Sequence, residues 1–175
     1  MPDIVYINGN YLPREQALVS VEDRGFQFAD GIYEVTKFYG RQPFRLDEHL
    51  QRLQQSGQHM RFSGVHTTEE WLQIIDRLVS ECDLPDDPAV THTLYQQVTR
   101  GACPRAHLFP KDLVQPTSVA YFRKAPVIAP EVRQAGVMLS TQKDERWDKC
   151  YIKTVCLLPA IWAKQAAVDA GAFEA

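Results

Sequence analysis

A lysine set in the middle of an apolar run most constrains how this chain can fold. Lys153 lies in Cys150-Tyr151-Ile152-Lys153-Thr154-Val155-Cys156-Leu157-Leu158, a stretch otherwise apolar or small. That composition predicts a buried strand, in which an ammonium needs a reason. The strand period of two places Tyr151, Lys153 and Val155 on one face and Ile152, Thr154 and Cys156 on the other. Burial disfavours the charged form and lowers a lysine pKa, leaving the amine a nucleophile near neutral pH. Schiff-base chemistry with an aldehyde cofactor or a carbonyl substrate requires such an amine. The alternative is a lysine whose stem crosses apolar surface while its head reaches water. This run alone leaves both open.

The rest of the chain bounds the setting. Its 175 residues allow one large domain, or one domain and part of another. A 45% hydrophobic and 23% charged composition is that of an ordinary globular protein. The net charge of -3 gives no sign of a nucleic-acid or anionic-membrane partner. No stretch approaches the roughly 20 apolar residues of a membrane span, and Met-Pro-Asp-Ile-Val has no basic region or signal core. A cytoplasmic protein is expected, with Cys82, Cys103, Cys150 and Cys156 reduced and used for packing. Their spacings match no zinc pattern, and no metal site is expected.

Taken in order, Ile4-Val5-Tyr6-Ile7 and Asn10-Tyr11-Leu12 read as a hairpin turned by Asn8-Gly9. Leu18 to Val21 reads as a short strand. Residues 22–31 are rich in charge and glycine yet hold two aromatics, so the segment is expected to pack rather than hang free. Ile32 to Tyr39 is a strand, turned back by Gly40-Arg41. Asp47 is placed to cap a helix in which Leu50, Leu53 and Met60 recur, with His49 and Arg52 beside them. Thr67 and Glu70 form a capping box before Trp71, Ile74, Ile75, Leu78 and Cys82, a core-facing stripe. Ala89 to Arg100 and Ser118 to Phe122 are strands; Lys124 to Arg133, with two prolines, reads as a linker. A strand Gly136–Ser140, the Lys153 strand and a helix from Pro159 to Gly171 open a second domain. Ala172–Ala175 resembles the start of a strand with nothing after it to pair with. That domain has about 40 residues, fewer than usually fold alone, so the chain is expected to be the front of a longer polypeptide or a shortened version of one.

Among possible constellations, Arg105 and His107 are two apart and share a side of an extended loop. Together they suit a carboxylate, the arginine by two charged hydrogen bonds and the histidine by one more, or they belong to a solvated basic loop. Arg52 on its helix suits a phosphate but is equally an ordinary surface arginine. The Tyr33 hydroxyl is either packed or turned toward a ligand.

Taken together, several blocks resemble the D-amino acid aminotransferase branch of the fold-type IV pyridoxal-phosphate enzymes. The blocks are Val21-Glu22-Asp23-Arg24-Gly25-Phe26-Gln27-Phe28-Ala29-Asp30-Gly31-Ile32-Tyr33-Glu34-Val35, Glu48-His49-Leu50-Gln51-Arg52-Leu53, and Val98-Thr99-Arg100-Gly101 through Pro104-Arg105-Ala106-His107. They continue with Ile152-Lys153 and Leu157-Leu158 through Ala163-Lys164-Gln165-Ala166, so the likeness runs the length of the chain. The resemblance implies pyridoxal 5'-phosphate held by Lys153 as an internal Schiff base, with the freed amine then moving a proton at the substrate Cα. It implies Arg52 on the cofactor phosphate, and Tyr33, Arg105 and His107 on the substrate α-carboxylate. The last two would reach in from a neighbouring subunit, hence a homodimer with shared sites. It implies transamination between D-amino acids, chiefly D-alanine, and 2-oxo acids. The Arg-x-His pair favours this branch over the branched-chain aminotransferases and aminodeoxychorismate lyases of the same family. A rival of another class is a non-catalytic truncated remnant or dimerising module.

Departures from the family are part of the reading. Cys156 stands where asparagine is common, and Pro159 where glycine is expected. By the resemblance, a glutamate for the pyridine nitrogen and Ser/Thr/Gly segments for the phosphate come after Ala175, so this chain alone is expected to be weakly active or inactive. The fold expected is α+β: an N-terminal antiparallel sheet with two helices over residues 1–122, a linker over 123–134, and the incomplete start of a mixed α/β cofactor domain over 135–175.

Overall fold

Asn8 and Gly9 both have positive φ, 47° and 88°, the backbone that a two-residue hairpin needs. They join strand β1 (Ile4–Ile7) to β2 (Asn10–Pro13). The computed structural model, which describes residues 2–175, continues with a short helix α1 (Arg24–Phe28), capped by Asp23 on the Gly25 amide. Strand β3 (Gly31–Tyr39) and the two-residue β4 (Gln42–Pro43) follow. Helices α2 (Leu46–His59) and α3 (Thr68–Glu81) precede strands β5 (Thr91–Thr99) and β6 (Thr117–Lys124). The six strands form one antiparallel sheet in the order β2-β1-β6-β5-β3-β4.

Alternation decides which face the helices cover. Ile32 and Phe38 of β3, Leu94 and Val98 of β5, and Ala120 and Phe122 of β6 point to one side and are buried there against Leu50, Leu53, Trp71 and Leu78. The expected capping box is present: the Thr67 side chain accepts from the Glu70 amide, and the Glu70 carboxylate accepts from the Thr67 amide. Thr67→Ala should lower stability by about 1 kcal/mol, readable as a shift of the urea midpoint at unchanged slope. Helix α2 starts differently from expectation. Arg45, in a left-handed conformation, stands at its cap, while Asp47 and Glu48 lie in the first turn, where their charge suits the helix dipole.

The chain divides into two compact units: one takes in the chain to Ala125 together with Tyr151–Val155, the other Pro126–Cys150 and Cys156–Ala175. Residues 123–134, expected as a linker, hold the end of β6 and most of helix α4 (Pro130–Ala135). In the second unit, helix α5 (Leu158–Asp169) carries Pro159 in its first turn, and Gly171, with φ 74°, follows its end. The strand expected at Gly136–Ser140 is a single parallel bridge, Leu139 to Glu174, flanked by bonds from Phe173 N to Met138 O and Ser140 N to Glu174 O. No strand forms at Leu18–Val21, where the Leu18 amide donates to Gln16 O. No helix among the described residues is long and apolar enough to cross a membrane.

Candidate active site

The run around Lys153 is not a full strand. It touches the sheet at one bridge, Ile32 to Thr154, on the part of β3 that β4 leaves unpaired. Tyr33 N donates to Lys153 O at 3.0 Å, and Val155 N to Gly31 O at 3.0 Å. On the helix side, Lys153 N donates to Ser56 Oγ of α2 at 3.3 Å. Gly31 makes this approach possible, since a Cβ there would stand 3.1 Å from Val155 Cγ2 and 3.3 Å from Val98 O. Ile152 and Thr154 are buried as their alternation requires, but Lys153 itself is only half-buried. One turned segment with one bridge covers a side chain less completely than a ladder would.

Lys153 Nζ lies 4.1 Å from the centroid of the Tyr33 ring, a cation–π contact when the amine is protonated. Tyr33 stacks on Tyr95 at 5.7 Å, and Tyr95 on Tyr121 at 5.2 Å, a row crossing β3, β5 and β6 on the face away from α2 and α3. Burial, reinforced by the two neighbouring phenols, pushes the Tyr95 pKa up to about 12. Its hydroxyl is therefore neutral at physiological pH, and it donates to Gln97 Oε1 at 2.7 Å.

Arg52 sits on α2 and grips Glu34, the neighbour of Tyr33 in β3. Its Nε and Nη2 meet the two carboxylate oxygens at 2.5 and 2.7 Å, and His49 Nδ1 adds a contact at 2.9 Å. Glu34 is fully buried, whereas the Arg52 side chain is 49% exposed. The hydrogen bonds Arg52 donates to Glu34 raise its pKa. Nη1 has no hydrogen-bond partner among the described residues, and an open hollow of about 320 Å³ lies against Arg45, Glu48, His49 and Arg52. Sequence reasoning on single residues passed over Glu34. The signal was its place in the inward set Ile32-Glu34-Thr36-Phe38, where a carboxylate demands a cation, with His49 and Arg52 three apart on the next helix. Arg52→Met should cost about 2 kcal/mol: less than for a fully buried pair, because Arg52 is half exposed, and more than for a surface pair, because Glu34 is not. Urea unfolding reads the loss.

Arg105 and His107 come together around a third residue, Phe28 of α1. The Arg105 guanidinium lies 4.9 Å from that ring and the His107 ring stands edge-on to it at 5.7 Å. Both are exposed, and Phe28, not Lys153 or Tyr33, is the ring each one meets. The site residues thus form two groups: Lys153, Tyr33, Glu34 and Arg52 about the start of β3, and Arg105, His107 and Phe28 about the loop after β5. Among the described residues, no group of three or more His, Cys, Asp or Glu side chains is placed to hold a metal ion.

An amine laid on a tyrosine ring suits a carbonyl compound, and an arginine braced by a buried carboxylate suits an anion. The family described as amino-transferase class IV matches residues 31–175, and the chain belongs to that family. D-alanine aminotransferase of Staphylococcus epidermidis is 38% identical over 171 residues, and that of Bacillus licheniformis 37% over 172; each match covers 98% of this chain. The chain spans 58% of the length of these relatives. Its fold is that of the branched-chain amino acid aminotransferase from Escherichia coli. The TM-score is 0.81 at 15% identity, over 98% of this chain and 56% of that one.

Proposed function

We propose that the chain serves pyridoxal-phosphate-dependent transfer of an amino group between D-amino acids, chiefly D-alanine, and 2-oxo acids. The observation that carries this reading is the Lys153 amine, 4.1 Å from the Tyr33 ring on the edge of a sheet. The relatives named D-alanine aminotransferase, at 37–38% identity, point to the same chemistry.

The residues present fit the cofactor. Arg52 offers Nη1 beyond its two bonds to Glu34, with open room beside it, and a guanidinium suits phosphate oxygens. When bound, the cofactor supplies an electron sink for the carbon that loses its proton. The chain's residues supply place and protons. Lys153 Nζ would hold the aldehyde end and, once displaced by the substrate amine, would move the proton at the substrate Cα. Glu34 accepts from Arg52 and contacts His49, so the Arg52 guanidinium is held where it would take the phosphate. Tyr33, Arg105 and His107 receive the α-carboxylate, and its placement decides which face of Cα meets the amine. Arg105 and His107 are exposed and lie on Phe28 rather than beside Lys153, which supports their reaching a second copy. A cytoplasmic homodimer with shared sites is part of the same proposal.

The test is amino-group exchange with pyridoxal phosphate and 2-oxoglutarate, at the low rate expected of this chain alone, comparing D-alanine with L-leucine as donor. Faster exchange from D-alanine, lost in Arg105→Ala, is the expected result. Preference for L-leucine, undiminished by Arg105→Ala, would move the reading to the branched-chain enzymes.

A further inference from the structure

Residues 101–116 form a loop with a single bridge, Ala102 to Asp23, and no regular element. Such a loop does not by itself hold two exposed side chains in register. Arg24 gives it a fixed point. This residue of α1 is only 4% exposed. Its Nε donates to Asp30 Oδ2 at 2.8 Å, and its Nη1 donates to Ala106 O at 2.6 Å and Leu108 O at 3.4 Å, the carbonyls on either side of His107. The Arg24 and Arg105 guanidiniums each lie 4.9 Å from the ring of Phe28, one helical turn on, and the His107 ring packs T-shaped against it at 5.7 Å.

Holding Asp30 does not require Arg24. Arg100 grips the same carboxylate twice, Nε to Oδ2 at 2.8 Å and Nη2 to Oδ1 at 3.1 Å. What Arg24 adds is the reach to the loop. Helix α1 is itself fixed, because Gly25 lies so close to β5 that a Cβ there would come 2.2 Å from Thr99 Cγ2.

We propose that Arg24 and Phe28 are positioning residues that seat the Arg105–His107 segment, presenting its two side chains as one carboxylate-binding pair. The proposal deepens, and rests on, the reading of Arg105 and His107 given above. Phe28 supplies the surface on which both side chains lie, and Arg24 ties down the backbone between them.

The test follows His107 by NMR in the chain labelled with 13C-histidine, its signal assigned through His107→Gln. In the parent, the Phe28 ring current displaces the His107 ring signals. Arg24→Met keeps the stem and leaves Asp30 with Arg100, and it should remove more than half of that displacement while the His49 signals, beside Glu34, stay in place. Arg24→Lys keeps a cation near Asp30 without the planar fork, so it should fall between parent and Met variant; it also carries the test if the Met variant does not fold. A His107 signal unchanged in the folded variants would overturn the proposal. So would His107 and His49 moving together, the mark of a merely structural change. Adding D-alanine with pyridoxal phosphate to the parent should shift His107. If that shift is missing while Arg24→Met still frees the loop, the seat stands and the carboxylate reading fails.

Discussion

Lys153→Ala should abolish the borohydride-fixed pyridoxal adduct and the visible band that goes with it, while leaving the fold in place. The parent, mixed with pyridoxal phosphate, reduced and digested, should carry the label on the peptide containing Lys153. The reason is placement: this amine is half-buried, lies on the Tyr33 ring, and is tied through its backbone to β3 and α2. Lys164, by contrast, is engaged with Glu174 and the Phe173 carbonyl in the other unit. A half-exposed cation–π contact is worth about 0.5–1 kcal/mol, so the thermal midpoint should move by only a few degrees. Undiminished labelling in the alanine variant, at the same stoichiometry, would show that the amine has been misassigned.

Asp30→Ala should be the most damaging single change to stability in the sheet unit, by about 3–5 kcal/mol, a large part of the roughly 5–15 typical of a domain. Asp30 is 7% exposed and stands between Arg24 and Arg100, at 4% and 8%. Removing the carboxylate leaves two enclosed guanidiniums facing each other. Arg100 would keep its bonds to the carbonyls of Met60 and Arg61 and its place over Phe62 and Phe109, so its charge is not abandoned altogether. Removing Arg24 as well should recover part of the loss, since the two changes share one network. Urea unfolding of the single and double variants measures both. Equal stability of Asp30→Ala and parent would mean that the network holds no net energy.

Elements with strong local signals are legible in the sequence. The Asn8-Gly9 hairpin, the capped stripe from Trp71 to Cys82 and the alternating run of β5 each carry their own cause within a few residues. The Lys153 run was harder, because its apolar composition is shared by strands and by segments that merely lie against a sheet. Whether a ladder forms depends on a free edge, and β3 offers only the length that β4 does not use. Glu34, Arg24, Asp30 and Arg100 look like ordinary surface charges in one dimension. Their meaning comes from contacts between residues as far apart as Arg24 and Leu108, and pairing across such distances leaves no trace in local spacing. Family resemblance named Lys153, Arg52, Tyr33, Arg105 and His107, but it did not say what holds each in place.

The amine of Lys153 belongs with the sheet unit, although the residues on both sides of 151–155 belong to the other. Its backbone meets Ser56 across 97 positions of chain. Closing so long a loop is slow in comparison with forming α2, α3 or the first hairpin. During refolding, sheet and helix signals should therefore recover before Lys153 becomes the preferred site of pyridoxal labelling. Synthesis at the ribosome would follow the same schedule: a nascent chain could display a finished scaffold while still lacking its reactive group, and the vitamin would be captured last.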